Sequence, residues 1–389
     1  MDIFIAGVSA RGLVESAIRS GLRHRIIAVD YFGDFDLQLL CESRSIKRDL
    51  GLPYSAQHLV TLSGELTFDA MAYVANLENY PSLVELLRRG NPVLGNSASV
   101  LSSVRDPARF FGFLERAGIP SPKISFSSAV FDLDPDTRWL RKPVRGGGGH
   151  GIAVHVPGTR VEPGVFFQEY VDGLACSAVF VADGLDCTLL GISEQLLGEK
   201  EFGADGFRYC GSILGLAVQG HRARWPTIVE DVREIVRAIT RKFHLVGANG
   251  MDFILKDGAI YPLEINPRYT ASMELVERAY GINIFDAHLA ACQGTLPDFD
   301  LGARSAPDYL GKAVIFATGG LVFHDPKAWY ERDARDLPVE GERIGRGKPV
   351  CTVFSRGHNR QECYDGLTKA AAELQSAAHL DAKPMEQVP

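Results

Sequence analysis

The spacing of apolar positions changes several times along the chain, and each change marks an element. Residues 3–6 are a short apolar run closed by Gly7-Val8-Ser9-Ala10-Arg11-Gly12-Leu13. Leu13, Val14, Ala17 and Ile18 then recur at helical spacing up to Gly21, and residues 26–29 form a second apolar run ending at Asp30. Strand, glycine turn, helix and strand with a terminal acid predict a βαβ unit and a parallel sheet. Residues 67–74 and 93–95 predict later strands, with a helix over 81–89 between them. The glycines follow G-x-x-x-x-G rather than the G-x-G-x-x-G of a dinucleotide site, so a structural Rossmann-like half is the favoured reading.

A helix with a defined start and stop follows. Asp106 is placed to cap it, Pro107 is its first residue, and Phe110, Phe111 and Leu114 form its apolar stripe before Gly118 and Pro120 end it. Short runs at 123–126, 138–144, 152–156, 165–171 and 176–182 then predict a compact β-rich insert, expected to act as a lid. Ile228, Val229, Val232, Ile235, Val236 and Ile239 predict a long amphipathic helix over 226–243. Strands are expected at 251–255 and 259–265, one or two helices within 272–293, strands at 312–317 and 349–354, and a last helix near 361–377. The tail from Asp381 is expected to be disordered. The fold class is α/β with an α+β lid.

Composition narrows the function classes. Lys and Arg total 41 against 48 Asp and Glu, so a net charge of −7 gives no overall basic excess for nucleic acid or anionic lipid. Seven scattered cysteines without a C-x-x-C pair predict reduced thiols and a cytoplasmic setting. The amino terminus carries Asp2 where a signal peptide would be basic, and no run of 18 apolar residues occurs. Glycine is the departure, at 40 of 389 residues against an average near 7%.

Four of those glycines form one run, in Arg141-Lys142-Pro143-Val144-Arg145-Gly146-Gly147-Gly148-Gly149-His150-Gly151. Each costs ~0.5–1 kcal/mol in chain entropy relative to alanine, so packing alone does not explain them. They allow close backbone approach with N–H groups turned to an anion, and Arg141, Lys142 and Arg145 make phosphate the natural guest. A surface turn with incidental charge is the rival reading. The absence of Gly-Lys-Ser or Gly-Lys-Thr excludes a Walker loop. Phe166-Phe167-Gln168-Glu169-Tyr170-Val171-Asp172-Gly173, about twenty residues on, could wedge a flat heterocycle against backbone groups of 169–171, or be a plain strand-to-turn transition.

The most specific segment pairs Gly250-Met251-Asp252-Phe253 with Leu263-Glu264-Ile265-Asn266-Pro267-Arg268. Strand alternation puts Glu264 and Asn266 on one face, a pair of hard oxygen ligands suited to Mg²⁺ beside phosphates. Asp252 joins them when the hairpin connection holds an odd number of residues, such as 257–259; a two-residue turn sets it opposite Leu263. Arg268 could meet a transferring phosphoryl group. Arg208 and Tyr209, after the glycine-rich 203–206, are candidates for binding a substrate carboxylate, with a mobile surface loop as the rival.

These segments together resemble the ATP-grasp superfamily of carboxylate–amine (or thiol) ligases, in the expected order over nearly the whole chain. The resemblance implies an ATP-grasp fold: a Rossmann-like domain over 1–97, an ATP-grasp domain over 98–300 with its lid at about 121–184, and a β-rich C-terminal lobe and tail over 301–389. It implies that Lys142 contacts ATP phosphate, and that Arg145, Gly146, Gly147, Gly148 and Gly149 close over the β- and γ-phosphates. Glu169 and the backbone at Tyr170 and Val171 would hold adenine, with Asp172 the nearest candidate for the ribose. Asp252, Glu264 and Asn266 would bind two Mg²⁺ ions, or Mn²⁺, and Arg268 would stabilise the transferring group. The family commonly has Asp-Lys where this chain has Asp106-Pro107, so Arg105 or Arg109 would have to substitute for that lysine. A ribose-binding glutamate is also absent, Leu174-Ala175-Cys176 standing in its place.

Gly7-Val8-Ser9-Ala10-Arg11-Gly12-Leu13 and Asp30-Tyr31-Phe32-Gly33-Asp34 resemble a branch called predicted ATP-dependent carboligases, related to biotin carboxylase and linked to tetrahydromethanopterin one-carbon pathways. The expected function is an ATP-dependent carboxylate–amine ligase working through an acyl phosphate. On the branch resemblance it would attach an amino acid such as glutamate in making a coenzyme of the tetrahydromethanopterin or methanofuran type. The rivals are a carboxylase using bicarbonate and a nucleotide-binding regulatory protein without turnover. Small-molecule partners are expected, with no nucleic acid or membrane, and a homodimer is the default assembly.

Overall fold

The first apolar run forms β1 (Asp2–Ala6), which pairs in parallel with β2 (Arg25–Asp30) on one side and β4 (Ala70–Tyr73) on the other. With β3 (Glu42–Ser45) beside β2, the order is β3-β2-β1-β4. The crossover helix Arg11–Ile18 buries Leu13, Val14 and Ala17, while Ile18, the last member of the predicted stripe, is exposed. Asp30, fully buried at the end of β2, accepts the backbone N–H groups of Ala10 (3.1 Å) and Gly33 (2.8 Å). Both carboxylate oxygens therefore tie loops together. The computed structural model describes residues 1–127, 136–156, 162–215, 224–304 and 308–380, with side chains up to 376, so the tail from Asp381 lies outside it.

Helix Pro107–Arg116 starts where the sequence signals it. Asp106 Oδ1 accepts from the N–H groups of Ala108 and Arg109, and Phe110, Phe111 and Leu114 are buried. The insert after it is a four-stranded sheet of order β5-β8-β6-β7: β5 (Ile124–Ser125), β6 (Trp139–Pro143), β7 (Ala153–Val154) and β8 (Val165–Glu169). This sheet ends at Glu169. The next strand, β9 (Leu174–Asp183), carries the apolar run expected in the insert but pairs instead with two strands of a larger sheet.

That larger sheet is antiparallel and seven-stranded, in the order β13-β12-β9-β10-β11-β14-β17. Its remaining members are β10 (Cys187–Leu197), β11 (Tyr209–Leu214), β12 (Val246–Lys256), β13 (Ala259–Asn266), β14 (Tyr309–Phe316) and β17 (Pro349–Gly357). A two-stranded ladder, β15 (Leu321–Val322) with β16 (Arg343–Ile344), sits outside it. The sequence pattern did not reveal β10 or β11. Both are buried over most of their length, and a strand covered on both faces shows no apolar–polar alternation.

Helix Trp225–Phe243 turns Ile228, Val229, Val232, Val236, Ile239 and Phe243 onto one face of this sheet, packing beside Phe110 and Phe111. Helices Met273–Tyr280 and Ile284–Cys292 fill the space between the other face and the parallel sheet, so Ile3, Leu13, Val181, Met273 and Phe285 share one core. Helix Arg360–Leu380 packs on β14 and β17. The seven cysteines are all unpaired. Among the described residues no helix is long and apolar enough to cross a membrane.

Candidate active site

Asp257 (φ 53°) and Gly258 (φ 85°) form a two-residue turn that pairs Lys256 with Ala259. Both φ values are positive, the geometry an Asp-Gly hairpin favours. Extended regularly, this turn would set Asp252 opposite Leu263. The ladder is not regular: Phe253 pairs with Pro262, but Asp252 pairs with Glu264 and Gly250 with Asn266, leaving Leu263 as a bulge. Pro262 has no N–H to give the ladder, and β13 is the sheet's edge strand, where such an irregularity is tolerated. The bulge brings two carboxylates to the same level of the sheet.

Their neighbours hold them there. Asn266 Nδ2 donates to Asp252 Oδ2 (2.9 Å) and Gln195 Nε2 to Asp252 Oδ1 (3.0 Å). Arg105 Nη1 donates to Glu264 Oε2 at 3.1 Å. Burial and the adjacent Glu264 push Asp252 up to about 6. Burial also works against the charge on Glu264, but Arg105, Lys142 and Arg268 outweigh it and hold that carboxyl below its ordinary value. Repulsion between the two acids is the state a divalent cation relieves. Two carboxylates and an amide oxygen are a hard-oxygen set that fits Mg²⁺, phosphate oxygens and water completing the shell.

Arg268 is fixed from behind. Its Nε donates to Glu78 Oε1 (2.8 Å), Nη1 to the Tyr269 carbonyl (3.1 Å) and Nη2 to Asn266 Oδ1 (3.1 Å). Glu78 is buried, 1% exposed, in a short turn after β4. Lys142, on β6, reaches the same space: its Nζ donates to Gln168 Oε1 at 3.0 Å, and burial lowers its pKa. A lysine held in this way keeps little water to lose when an anion arrives.

All of these residues except Arg105 and Glu78 line one cleft of roughly 660 Å³, walled by the four-stranded insert, the large sheet and loops of the parallel sheet. Gly148 and Gly149 line it too, and they lean on the segment before β11. The Gly148 carbonyl accepts from the Tyr209 N–H (3.1 Å), and a Cβ on Gly149 (φ 77°) would fall 1.8 Å from the Phe207 carbonyl oxygen. Only glycine fits there.

Residues 104–272 match the family model of the ATP-grasp domain. The chain carries an ATP-grasp domain. Among relatives, an uncharacterised protein of Methanocaldococcus jannaschii is 21% identical over 293 residues, covering 73% of this chain and 68% of that one. The carbamoyl phosphate synthase large chain of Thermoplasma volcanium is 22% identical over 61% of this chain, but only 23% of its own length is matched. Among solved structures, biotin carboxylase of Campylobacter jejuni superposes with a TM-score of 0.70 at 16% identity, over 98% of this chain and 95% of that one. An L-amino acid ligase of Bacillus licheniformis does so with 0.66 at 17%, over 96% and 97%. The overall architecture is thus the ATP-grasp fold.

Of the residues singled out in the sequence, Lys142, Gly148, Gly149, Glu169, Tyr170, Val171, Tyr209, Asp252, Glu264, Asn266 and Arg268 line the ATP-grasp cleft. Arg145, Gly146, Gly147, Asp172 and Arg208 are not among its lining residues. Arg145 is exposed, its guanidinium 5.8 Å from the Tyr80 ring centroid, and Asp172 is exposed. Arg208 turns the other way, donating to the Gly347 carbonyl (3.1 Å) over the Phe316 ring. The Tyr170 N–H already donates to the Arg138 carbonyl (2.8 Å), and Glu169 Oε2 accepts from the Lys123 N–H (3.0 Å).

Arg105 and Arg109 separate cleanly. Arg109 is exposed and pairs with Asp106, whereas Arg105 bridges Glu264, the Ile265 carbonyl (3.0 Å), Asn79 Oδ1 (3.0 Å) and the Gly146 carbonyl (3.2 Å). It thereby couples the glycine loop to the carboxylates. Glu78, Asn79 and Gln195 were not anticipated, because each lies on an element with no motif and meets the site only through folding. Gln168 lies in the 166–173 segment, one residue before Glu169, but its contact with Lys142 needs the β6–β8 pairing.

Proposed function

We propose that this protein is an ATP-dependent carboxylate–amine ligase. A substrate carboxylate oxygen attacks the γ-phosphorus of ATP, ADP departs, and an acyl phosphate forms. The amine nitrogen then attacks the acyl carbon, inorganic phosphate leaves, and an amide results. The observation that carries this reading is the Asp252–Glu264 pair, flanked by Asn266, Arg268 and Lys142, facing a glycine loop across one cleft.

In this reading Lys142 holds ATP phosphate, and the loop with Gly148 and Gly149 covers the β- and γ-phosphates. Glu169, Tyr170 and Val171 form the adenine edge; with the Tyr170 N–H engaged, the Val171 backbone carries most of that contact. Asp252, Glu264 and Asn266 would hold two Mg²⁺ ions, replaceable by Mn²⁺, which supply charge neutralisation at the phosphates. Arg268, steadied by Glu78, stabilises the transferring phosphoryl group, and Arg105 takes the place of the absent lysine. The protein's work is positioning and electrostatics, as phosphoryl transfer demands.

Two finer points belong to the same proposal. The substrate pair would include an amino acid such as glutamate and an intermediate of a one-carbon carrier coenzyme, on the resemblance of residues 7–13 and 30–34 to the carboligase branch. The active form would be a homodimer; the biotin carboxylase domain of Hydrogenobacter thermophilus, similar in fold, is described as a dimer. A carboxylase using bicarbonate is the second reading, favoured by the extent of the likeness to biotin carboxylase.

ADP release from Mg–ATP, measured against a panel of acids with and without amines and with bicarbonate, tests the reading. Turnover that needs both an acid and an amine supports the ligase; turnover with bicarbonate alone replaces it with the carboxylase. ATP binding without turnover on any pair would indicate a regulatory protein.

A further inference from the structure

Three consecutive residues on the short turn after β4 reach three parts of the site. Glu78 holds Arg268, Asn79 meets both Arg105 and the glycine loop, and the Tyr80 ring centroid lies 5.8 Å from the Arg145 guanidinium. The last of these contacts is at the surface and weak. Asn79 is different: it is 5% exposed, and its amide is used at both ends.

Asn79 Nδ2 donates to the Gly146 carbonyl (3.1 Å), 67 positions away in sequence. Its Oδ1 accepts from Arg105 Nη2 (3.0 Å) and Nε (3.3 Å), 26 positions away. Arg105 Nη2 also donates to the Gly146 carbonyl (3.2 Å), so the three groups close a ring. A guanidinium only donates and a carbonyl only accepts, which fixes the way the amide is turned. An asparagine in a turn commonly bonds its own backbone two residues on. Here the amide instead joins two distant elements.

The glycine loop is thereby gripped from two sides. Asn79 and Arg105 hold the Gly146 carbonyl, and the Tyr209 N–H holds the Gly148 carbonyl from the large sheet (3.1 Å). Glycine loses more freedom than any other residue when it is ordered, so a run of four needs such anchors to keep one shape. All of these bonds join protein groups to one another, so none of them needs a nucleotide to form.

We propose that Asn79 is a positioning residue: it latches the glycine loop to the turn after β4 and at the same time sets the Arg105 guanidinium that holds Glu264. The latch is a property of the chain itself. Its consequence rests on the ATP reading above: a loop already in place binds nucleotide phosphates more tightly, because less freedom is lost on binding. Asn79 acts through Gly146 and Arg105 and is not among the residues lining the cleft.

The test uses the full chain with two variants. Asn79→Ala removes both halves of the amide; Asn79→Asp keeps an acceptor for Arg105 but sets an oxygen against the Gly146 carbonyl, and carries the test even where the alanine variant fails to fold. Limited trypsin digestion without added nucleotide, followed by mass spectrometry, reads cleavage after Arg145, which is exposed and adjoins the latched glycine. Cleavage after Arg116, exposed at the end of helix Pro107–Arg116, is the control. Both variants are expected to be cut after Arg145 about tenfold faster than wild type, the scale of one lost hydrogen bond, and after Arg116 within about twofold. Calorimetric titration should show MgADP bound about fivefold or more weakly by both.

Wild-type cleavage after Arg145 in either folded variant would overturn the latch. Equal acceleration at Arg116, or loss of folding in both variants, would mark Asn79 as structural and overturn it too. Wild-type MgADP affinity in variants whose loop has opened would overturn its role in nucleotide binding. Failure of the ATP reading looks different: the loop opens as expected in both variants, but wild type binds no MgADP.

Discussion

Asp252 and Glu264 face each other across β12 and β13, and the bulge at Leu263 is what aligns them. Both oxygens of Asp252 are claimed by amide donors, Asn266 and Gln195, while Glu264 is held by the Arg105 guanidinium. The two acids are thus placed differently: Asp252 is pushed up to about 6, and Glu264 is kept ionised.

Glu264→Ala should abolish ADP release, by about 100-fold or more, as expected when a preorganised group at the reacting charge is removed. The melting temperature should stay close to wild type, because Glu264 is partly exposed and leaves no core cavity. Steady-state ADP release with circular dichroism on the same sample checks both halves.

Arg105→Ala should lower kcat/KM for ATP by about 100-fold, since it removes the link between Glu264 and the Gly146 carbonyl together with a positive charge. Arg109→Ala should change the same constant by less than about twofold, because its ion pair with Asp106 is exposed. Equal effects of the two would remove Arg105 from the site.

The glycine run makes a position-specific prediction. Gly149→Ala forces a Cβ against the Phe207 carbonyl at a positive φ and should raise the KM for ATP about tenfold or more. A Cβ on Gly147 meets nothing within 4 Å, so Gly147→Ala should behave like wild type. ATP titrations of the two variants side by side decide it.

His288 should make stability pH-dependent. Its Nδ1 accepts the Ala248 N–H (2.8 Å), its Nε2 faces the Leu94 carbonyl (3.1 Å), and burial lowers its pKa to about 4. Below an ordinary value near 6.5 the unfolded chain binds the proton first, so the stabilisation is full above 6.5 and is lost as pH falls towards 4. The loss at the acid end is about 3 kcal/mol. Denaturant unfolding of wild type and His288→Gln from pH 7.5 to 5 should show the wild-type advantage shrinking on acidification.

Much of this protein is legible in its sequence because the signals are local. The cap at Asp106 and the stripe of helix Trp225–Phe243 each depend on residues within a few positions of one another. The run from Gly146 to Gly149 and the Glu264–Arg268 segment were likewise readable, since strand alternation fixes which side chains share a face. What the chain could not announce is pairing at a distance. The register of Asp252 hinged on a bulge in the partner strand; β9 looked like part of the lid until its hydrogen bonds assigned it to the large sheet; β10 and β11, covered on both faces, lost the alternation that marks a strand. Glu78 behind Arg268, and Arg105 rather than Arg109, were chosen by tertiary packing for the same reason. A single side chain's partners lie up to 325 positions away, and only the fold determines which of them it meets.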